Sequence, residues 1–407
     1  MSVTKKYLSN YAEQEARTLL ANPPSLACDF VLVIPAFAES PDFLDRLPKN
    51  MPALVVLVIN RPDTESDATC NDRLRQQVSE PQVPVLWSAR HMSLCQLKDD
   101  IHVLVVERPD ALPHRQGVGL ARKIGCDVAL ALGESDCVRS RWIHCSDADA
   151  KLPERYFQAS NKFPDAVGLV YPFRHQRPKD IRARIAMEVY EQHLNHYVAG
   201  LSRASSPYAF HTLGSCIAVD RDAYAKVRGF PRRAGGEDFY LLNKLAKLGE
   251  VTRPDCEPLL LSSRQSQRAP FGTGPALGKL LAQSNIEDHR LFYDPECFEK
   301  LARFIGFIQR NAYPGMRMES LTGVFDDDPV LASVVLGIGL ENFLEHAKRH
   351  STSQETFRRQ FHQWFDAFRT LKFVHAVSDV VPRISKRELD TRMRRSHRDR
   401  EDDSDRP

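Results

Sequence analysis

In the first third of the chain, apolar positions fall in short unbroken runs instead of alternating with polar ones. Phe30-Val31-Leu32-Val33-Ile34 closes at Pro35, and Leu54-Val55-Val56-Leu57-Val58-Ile59 closes at Asn60-Arg61-Pro62-Asp63. His102-Val103-Leu104-Val105-Val106 closes at Glu107-Arg108-Pro109. Runs of this kind, rich in β-branched residues, suit strands covered on both faces, which is the condition of a parallel sheet. Helical periodicity at 66–79 and 117–133 separates the runs, so this third reads β-α-β-α-β. Trp142-Ile143-His144-Cys145 is a fourth short strand, and it runs directly into Ser146-Asp147-Ala148-Asp149. Residues 4–22 read as a lead-in helix stopped at Asn22-Pro23-Pro24.

Farther along, Ile181–Leu201 carries one long helical pattern, and Phe239–Leu248 a shorter one. Beyond about residue 285 the helical periodicity dominates, in 296–311, 329–349 and 353–371. This predicts three parts: an α/β domain over 1–285, a helical C-terminal region over 286–384, and a charged tail over 385–407. The tail is dense in Arg, Asp and Glu and poor in large apolar residues, so it is expected to be disordered.

Composition changes this picture little but excludes several classes. The chain has 407 residues, 42% apolar and 27% charged, which is an ordinary globular balance and not that of a fibrous or disordered protein. Lys plus Arg number 56 against 53 for Asp plus Glu, a net charge of +3. So small an excess gives no reason to expect nucleic acid as the partner. Nine cysteines are scattered without C-x-x-C pairing, as expected for free thiols in a reducing compartment. The first twenty residues lack the apolar core of a signal peptide, and the run Val330–Leu340 falls short of a membrane span. A soluble, cytoplasmic protein with no transmembrane segment is expected.

Candidate chemistry gathers in three places. Asp147 and Asp149 follow a strand, where ligands of open α/β sheets bind, and paired carboxylates there suit a hard divalent cation. The competing role is a simple turn, since Asp is common in loops. Gly229-Phe230-Pro231-Arg232-Arg233-Ala234-Gly235-Gly236-Glu237-Asp238 is a Gly-rich basic loop ending in two acids at a helix start. Those acids can cap the helix, or one can serve as a general base. Ser262–Gly274 holds Arg264 and Arg268 among hydroxyls and glycines, either a grip for a diphosphate or an ordinary basic surface loop.

Taken in order, these elements resemble family 2 glycosyltransferases. Val31-Leu32-Val33-Ile34-Pro35-Ala36-Phe37-Ala38-Glu39 is similar to that family's V-I-I-P-x-Y-N-E opening strand, and Asn60 with Asp63 falls where it carries acids that hold the nucleotide base. Gly117–Gly125 resembles its G-x-x-x-A-R-N-x-G helix. Asp147 and Asp149, Gly214–Tyr224 and Gly229–Asp238 follow in the family's order. The resemblance implies a GT-A type, Rossmann-like open mixed sheet with helices on both faces, plus a C-terminal helical appendix. It also implies a UDP- or GDP-sugar donor, an acceptor of unknown identity, and manganese or magnesium.

Carried over by residue, Pro35, Ala36, Phe37 and Glu39 would line the nucleotide pocket with help from Asn60. Arg122 would lie near the base or diphosphate, Asp147 would bond the ribose or sugar, and Asp149 would ligate the metal. His211 is a further candidate for the metal or the phosphates. Arg264 and Arg268 would contact the diphosphate. Asp238 would be the catalytic base of an inverting displacement, with Glu237 beside it.

The chain departs from the pattern at Ala38, Asn60 and Lys123, where the family usually has Asn, Asp and Asn. It also lacks the Q-x-x-R-W motif and membrane helices of processive synthases, which points to single transfers. A nucleotidyltransferase would want a glycine-rich opening that Val31–Glu39 lacks, and Arg122 breaks the Gly-x-Gly-x-x-Gly of a dinucleotide oxidoreductase. A retaining transferase and a non-catalytic sugar-nucleotide-binding protein are the alternatives within the fold. Keeping Asp147, Asp149 and Asp238 together argues against the second, because a binding relic needs no base.

Overall fold

The computed structural model describes residues 1–47, 53–97, 101–108, 110–265, 272–311, 313, 316 and 323–394. The chain forms two compact units, one from Met1–Gln176 with Thr212–Gly274, the other from Arg177–His211 with the residues from Pro275 onward.

The first unit is an α/β structure around one twisted sheet. The unbroken apolar runs become β1 (Phe30–Ala36) and β2 (Ala53–Ile59), with β3 (Val85–Ala89), β4 (Met92–Gln96), β5 (Ile101–Glu107) and β6 (Trp142–Cys145) after them. Then come β7 (Gly168–Val170), β8 (Phe173–His175), β9 (Ile217–Asp220), β10 (Val251–Thr252) and β11 (Leu259–Leu261). Among the described residues the main sheet runs β10-β7-β9-β6-β1-β2-β5-β4-β3, and β8 and β11 form a separate parallel pair. β1 is parallel to β2 (Phe30 opposite Ala53) and to β6 (Val31 opposite Ile143), and β2 is parallel to β5. The flanks are antiparallel at β3–β4, β4–β5, β6–β9 and β7–β9, which makes the sheet mixed. The chain steps from β1 to β2 on one side and later to β6 on the other, so a crevice opens at the carboxyl ends of β1 and β6.

The expected strands appear within a residue or two of their sequence limits, because both faces of each must be covered. The sequence reading did not foresee the short strands β7 to β11 or the β3–β4 hairpin, which lies between α3 (Asp72–Val78) and β5 and turns at Arg90 with φ +51°. The hairpin's partial alternation, Met92-Ser93-Leu94, is the signal that marks it. The lead-in helix divides into α1 (Val3–Asn10) and α2 (Gln14–Ala21), since the Glu13 backbone N–H turns inward to the Asp127 carboxylate at 2.8 Å. α4 (Gly117–Glu134) is buried along most of its length against the sheet. It lies so close that a methyl group at Gly125 would come within 2.4 Å of Val33 Cγ1. The remaining helices of this unit are α5 (Tyr156–Ser160), α7 (Arg221–Lys226) and α8 (Glu237–Leu245).

The second unit is helical. It contains α6 (Ile181–Arg203), α9 (Thr273–Leu281), α10 (Pro295–Asn311), α11 (Pro329–Gly337), α12 (Leu340–His350), α13 (Gln354–Trp364) and α14 (Ala367–Ser378). Phe298, Phe304, Phe325, Phe357, Phe361 and Phe373 fill its main core. The pattern at 329–349 resolves into two helices bent by 61° across Gly339, which takes φ +78°. The pattern at 353–371 also divides, because Asp366 accepts the Arg369 backbone N–H and starts a new helix. Among the described residues no single helix is long and apolar enough to cross a membrane.

Two boundaries differ from the sequence reading. Residues 177–211, assigned there to the α/β domain, belong to the helical unit, whose second apolar cluster joins Met187 and Tyr190 of α6 to Leu280 and Phe292. The tail expected to be disordered from 385 instead continues as a helix over 386–394. Ser385 and Glu388 form a reciprocal capping box, with the Ser385 N–H donating to Glu388 Oε2 at 2.7 Å and the Glu388 N–H to Ser385 Oγ at 3.2 Å. Leu389 is only 2% exposed and anchors that helix in the second cluster. Residues 395–407 lie outside the described residues.

Candidate functional site

Five acids and two arginines meet at the crevice of the first unit. Arg122, one turn into α4, is 3% exposed. Its Nη2 donates to Asp147 Oδ1 at 2.6 Å, just past β6, and its Nε donates to Glu237 Oε1 at 3.0 Å in the first turn of α8. Both carboxylates hold the guanidinium protonated against the cost of burial. Arg264 follows β11 and makes the second junction. Its Nη1 donates to Glu39 Oε2 at 3.1 Å, and its Nη2 lies 2.9 Å from Asp149 Oδ2 while also reaching Glu39 Oε1. Glu39 stands three residues beyond the end of β1. So the ends of β1 and β6 and the start of α8 are linked through two forked cations.

Charge crowding shows in the titration of these groups. Burial, with Asp147 and Glu39 nearby, pushes the Asp149 carboxyl up to about 6, and Arg264 only partly offsets this. Burial also raises Glu39. The Asp238 carboxyl is pushed up to about 7, first by burial and then by the adjacent Glu237. It accepts the Phe239 backbone N–H at 2.7 Å and a bond from the Gly214 amide. Glu237 is tied to Arg122, whereas Asp238 has a carboxyl poised to exchange a proton near neutrality.

The loop before these acids is fixed by close backbone contact. The Gly119 N–H donates to the Arg233 carbonyl at 2.9 Å, and a methyl group at Gly119 would lie 2.5 Å from that oxygen. The glycines that begin α4 therefore admit the 231–234 segment, which carries Glu237 and Asp238 into place.

Other expected residues take supporting roles. Pro35 and Ala36 end β1, and Phe37 follows, half-buried. The Asn60 Nδ2 donates to the carbonyls of Ala36 (3.0 Å) and Val58 (3.2 Å), so this amide binds backbone. Sequence reasoning missed Asn71, which is wholly buried. Its side chain accepts the Ala38 N–H at 2.8 Å and donates to the Asn60 carbonyl at 2.9 Å, clamping the loops after β1 and β2. A lone Asn beside a helix start carries no signal for that role. Lys123 donates to Asp127 Oδ2 at 2.8 Å, and Tyr7 and Tyr224 donate to Asp127 Oδ1 at 2.6 and 2.9 Å. That buried network holds α1 on α4.

His193 and His196 stand three positions apart on α6. Both point into the core of the second unit, with His196 Nε2 at 2.8 Å from the Tyr293 carbonyl and His193 edge-on to Phe292. Burial lowers His193 to about 4 and keeps it neutral. His211 belongs to the second unit, and Arg268 lies outside the described residues. Among the described residues no three His, Cys, Asp or Glu side chains converge as a metal cluster. Asp149 and Asp147 offer hard oxygen donors, which fit magnesium or manganese where phosphate oxygens and water complete the shell.

No family model matches the chain, and no curated protein matches it. Among solved structures, the chain is similar to the mannosyltransferase PcManGT from Pyrobaculum calidifontis in complex with GDP-Man and Mn2+. The identity is 15% and the TM-score 0.37, over 88% of this chain and 93% of that one. At that distance the assignment rests on the site itself.

Proposed function

We propose that the first unit is a GT-A type glycosyltransferase that moves a sugar from a nucleotide diphosphate to a hydroxyl acceptor, by inverting displacement. The observation that carries this reading is the pairing at one crevice of Asp147 and Asp149, past β6, with a near-neutral carboxyl at Asp238. The ordered resemblance of residues 31–238 to family 2 glycosyltransferases supports it.

Pro35, Ala36 and Phe37 line the nucleotide side, positioned by Asn60 and Asn71. Asp149 and Asp147 hold the divalent cation, which when bound neutralises charge on the departing diphosphate. Arg264 supplies forked donors to phosphate oxygens, and Arg268 does so by sequence position. Asp238 accepts the acceptor's hydroxyl proton as that oxygen attacks the anomeric carbon. Arg122 holds Asp147 and Glu237 in register, so the donor and acceptor ends of the crevice keep a fixed spacing. All nine cysteines are free thiols, which supports a reducing, cytoplasmic setting.

The test is calorimetry of UDP and GDP with and without manganese, followed by donor hydrolysis across a panel of nucleotide sugars. Manganese-dependent binding of one nucleotide and slow hydrolysis of its sugar are expected. Absence of any metal-dependent nucleotide binding would overturn the reading.

A further inference from the structure

The Arg264 guanidinium sits where the carboxylates of Glu39 and Asp149 come together. It is hydrogen-bonded to both Glu39 oxygens and ion-paired to Asp149 Oδ2 at 2.9 Å. Asp149 is the acid best placed to bind a cation, yet its charge is already matched from within the chain. Glu39 and Asp147 stand near it, and the buried Arg122 ties Asp147 on to Glu237. We propose that Arg264 is an internal counter-cation that excludes a divalent metal ion arriving alone and yields Asp149 only when the ion arrives with a diphosphate.

This role rests on the donor-site reading given above. A metal ion alone must displace the guanidinium from Asp149 and then sit beside it, two cations in one cleft. The displaced side chain would keep Glu39 but gain no new partner. A diphosphate changes the balance. It brings oxygens that a planar guanidinium can fork, so Arg264 exchanges one carboxylate for phosphate as the metal takes Asp149. Arg264 is 41% exposed on its side chain, which leaves it room to swing without unpacking the core. Metal and nucleotide then bind cooperatively, each removing the obstacle to the other. Arg264 acts as a positioning residue: it makes the site select the metal–diphosphate chelate over free metal.

The measurement is manganese binding to the full chain by electron paramagnetic resonance, with and without UDP or GDP, for the wild type, Arg264→Ala and Arg264→Gln. In the wild type, nucleotide should tighten manganese binding by at least about tenfold, within the usual range of coupling between sites. Without nucleotide, both variants should bind manganese about tenfold more tightly than the wild type, and their coupling to nucleotide should collapse. Equal affinity of the wild type and both variants for manganese alone would overturn the proposal. If the wild type shows manganese-dependent nucleotide binding while the variants leave manganese-alone affinity unchanged, only the counter-cation role falls. If the wild type binds no nucleotide with manganese, the donor-site reading itself falls and takes this role with it.

Discussion

Arg122 and Glu237 are 115 positions apart in the chain, yet Nε and Oε1 meet at 3.0 Å with both side chains buried. The same guanidinium holds Asp147 at 2.6 Å. One residue of α4 thus fixes the strand that presents the paired acids relative to the helix that presents Asp238. It also separates two adjacent acids by role: Glu237 is structural, and Asp238 keeps a carboxyl able to take a proton.

Arg122→Met should therefore destabilise the protein by about 3–5 kcal/mol, the usual cost of leaving buried charges uncompensated. Glu237→Gln keeps the shape and loses only the charge, at a cost of about 1.5–3 kcal/mol, typical of a hydrogen bond to a charged group. Urea denaturation of the two variants measures the difference. Equal and negligible losses would show that the buried pair does not order the site.

Asp149→Ala should abolish manganese-dependent nucleotide binding while the thermal transition stays cooperative. Calorimetry with UDP, GDP and manganese reads this directly. A variant that binds with unchanged metal dependence would remove Asp149 from the donor site.

Asp238→Asn should lower turnover by ~10²–10⁴-fold with little change in donor affinity, as expected for loss of a general base. Because the Asp238 carboxyl titrates near about 7, it carries its proton below that pH, and activity should rise as pH passes upward through it. The variant should lack that rise. Stability runs the opposite way: a carboxyl raised by folding favours the native state at low pH and forfeits that advantage as pH climbs through its folded value. Denaturation at pH 8 should thus find Asp238→Asn at least as stable as the wild type. Near-normal transfer by the variant would instead favour a retaining course, with the proton passing to the leaving phosphate.

Gly119→Ala places a methyl group 2.5 Å from the Arg233 carbonyl oxygen and 2.6 Å from that of Pro231, both backbone atoms that cannot yield cheaply. The 231–234 segment should shift, and with it Asp238, so the rate should fall more than nucleotide affinity does. A variant with wild-type turnover would show that the loop's position is not set by this contact.

Ala38 adopts φ +51°, a left-handed conformation costly to an L-residue with a Cβ, directly between Phe37 and Glu39. Ala38→Gly should relieve about 1–2 kcal/mol of strain against roughly 0.5–1 kcal/mol of added chain entropy, a net stabilisation of up to about 1 kcal/mol. A rise in melting temperature with unchanged nucleotide affinity is the expected outcome. A fall would mean the strain is not borne at this residue.

Much of the sheet could be read from the chain because β1, β2, β5 and β6 are covered on both faces, and only unbroken apolar runs satisfy that condition. The β3–β4 hairpin escaped because it lies at the edge of the sheet, where Val85 and Leu86 are exposed and the pattern need not be strict. The helix at 386–394 escaped because Leu389 is a single apolar anchor among charges, and its partners, Met187 and Phe292, lie about one to two hundred positions away.

For the site, sequence determined the types and order of the chemical groups: Glu39 after one strand, Asp147 and Asp149 after another, Glu237 and Asp238 at a helix start. Local pattern settles this because strand ends and helix starts are set by neighbours in the chain. Only the tertiary structure decided which acid each arginine holds. Arg122 could equally have faced a nucleotide, and Lys123 could have been a surface residue rather than the buried partner of Asp127. Burial turns each such choice into an electrostatic necessity, since a charge removed from water must find its counter-charge wherever the fold brings one within reach.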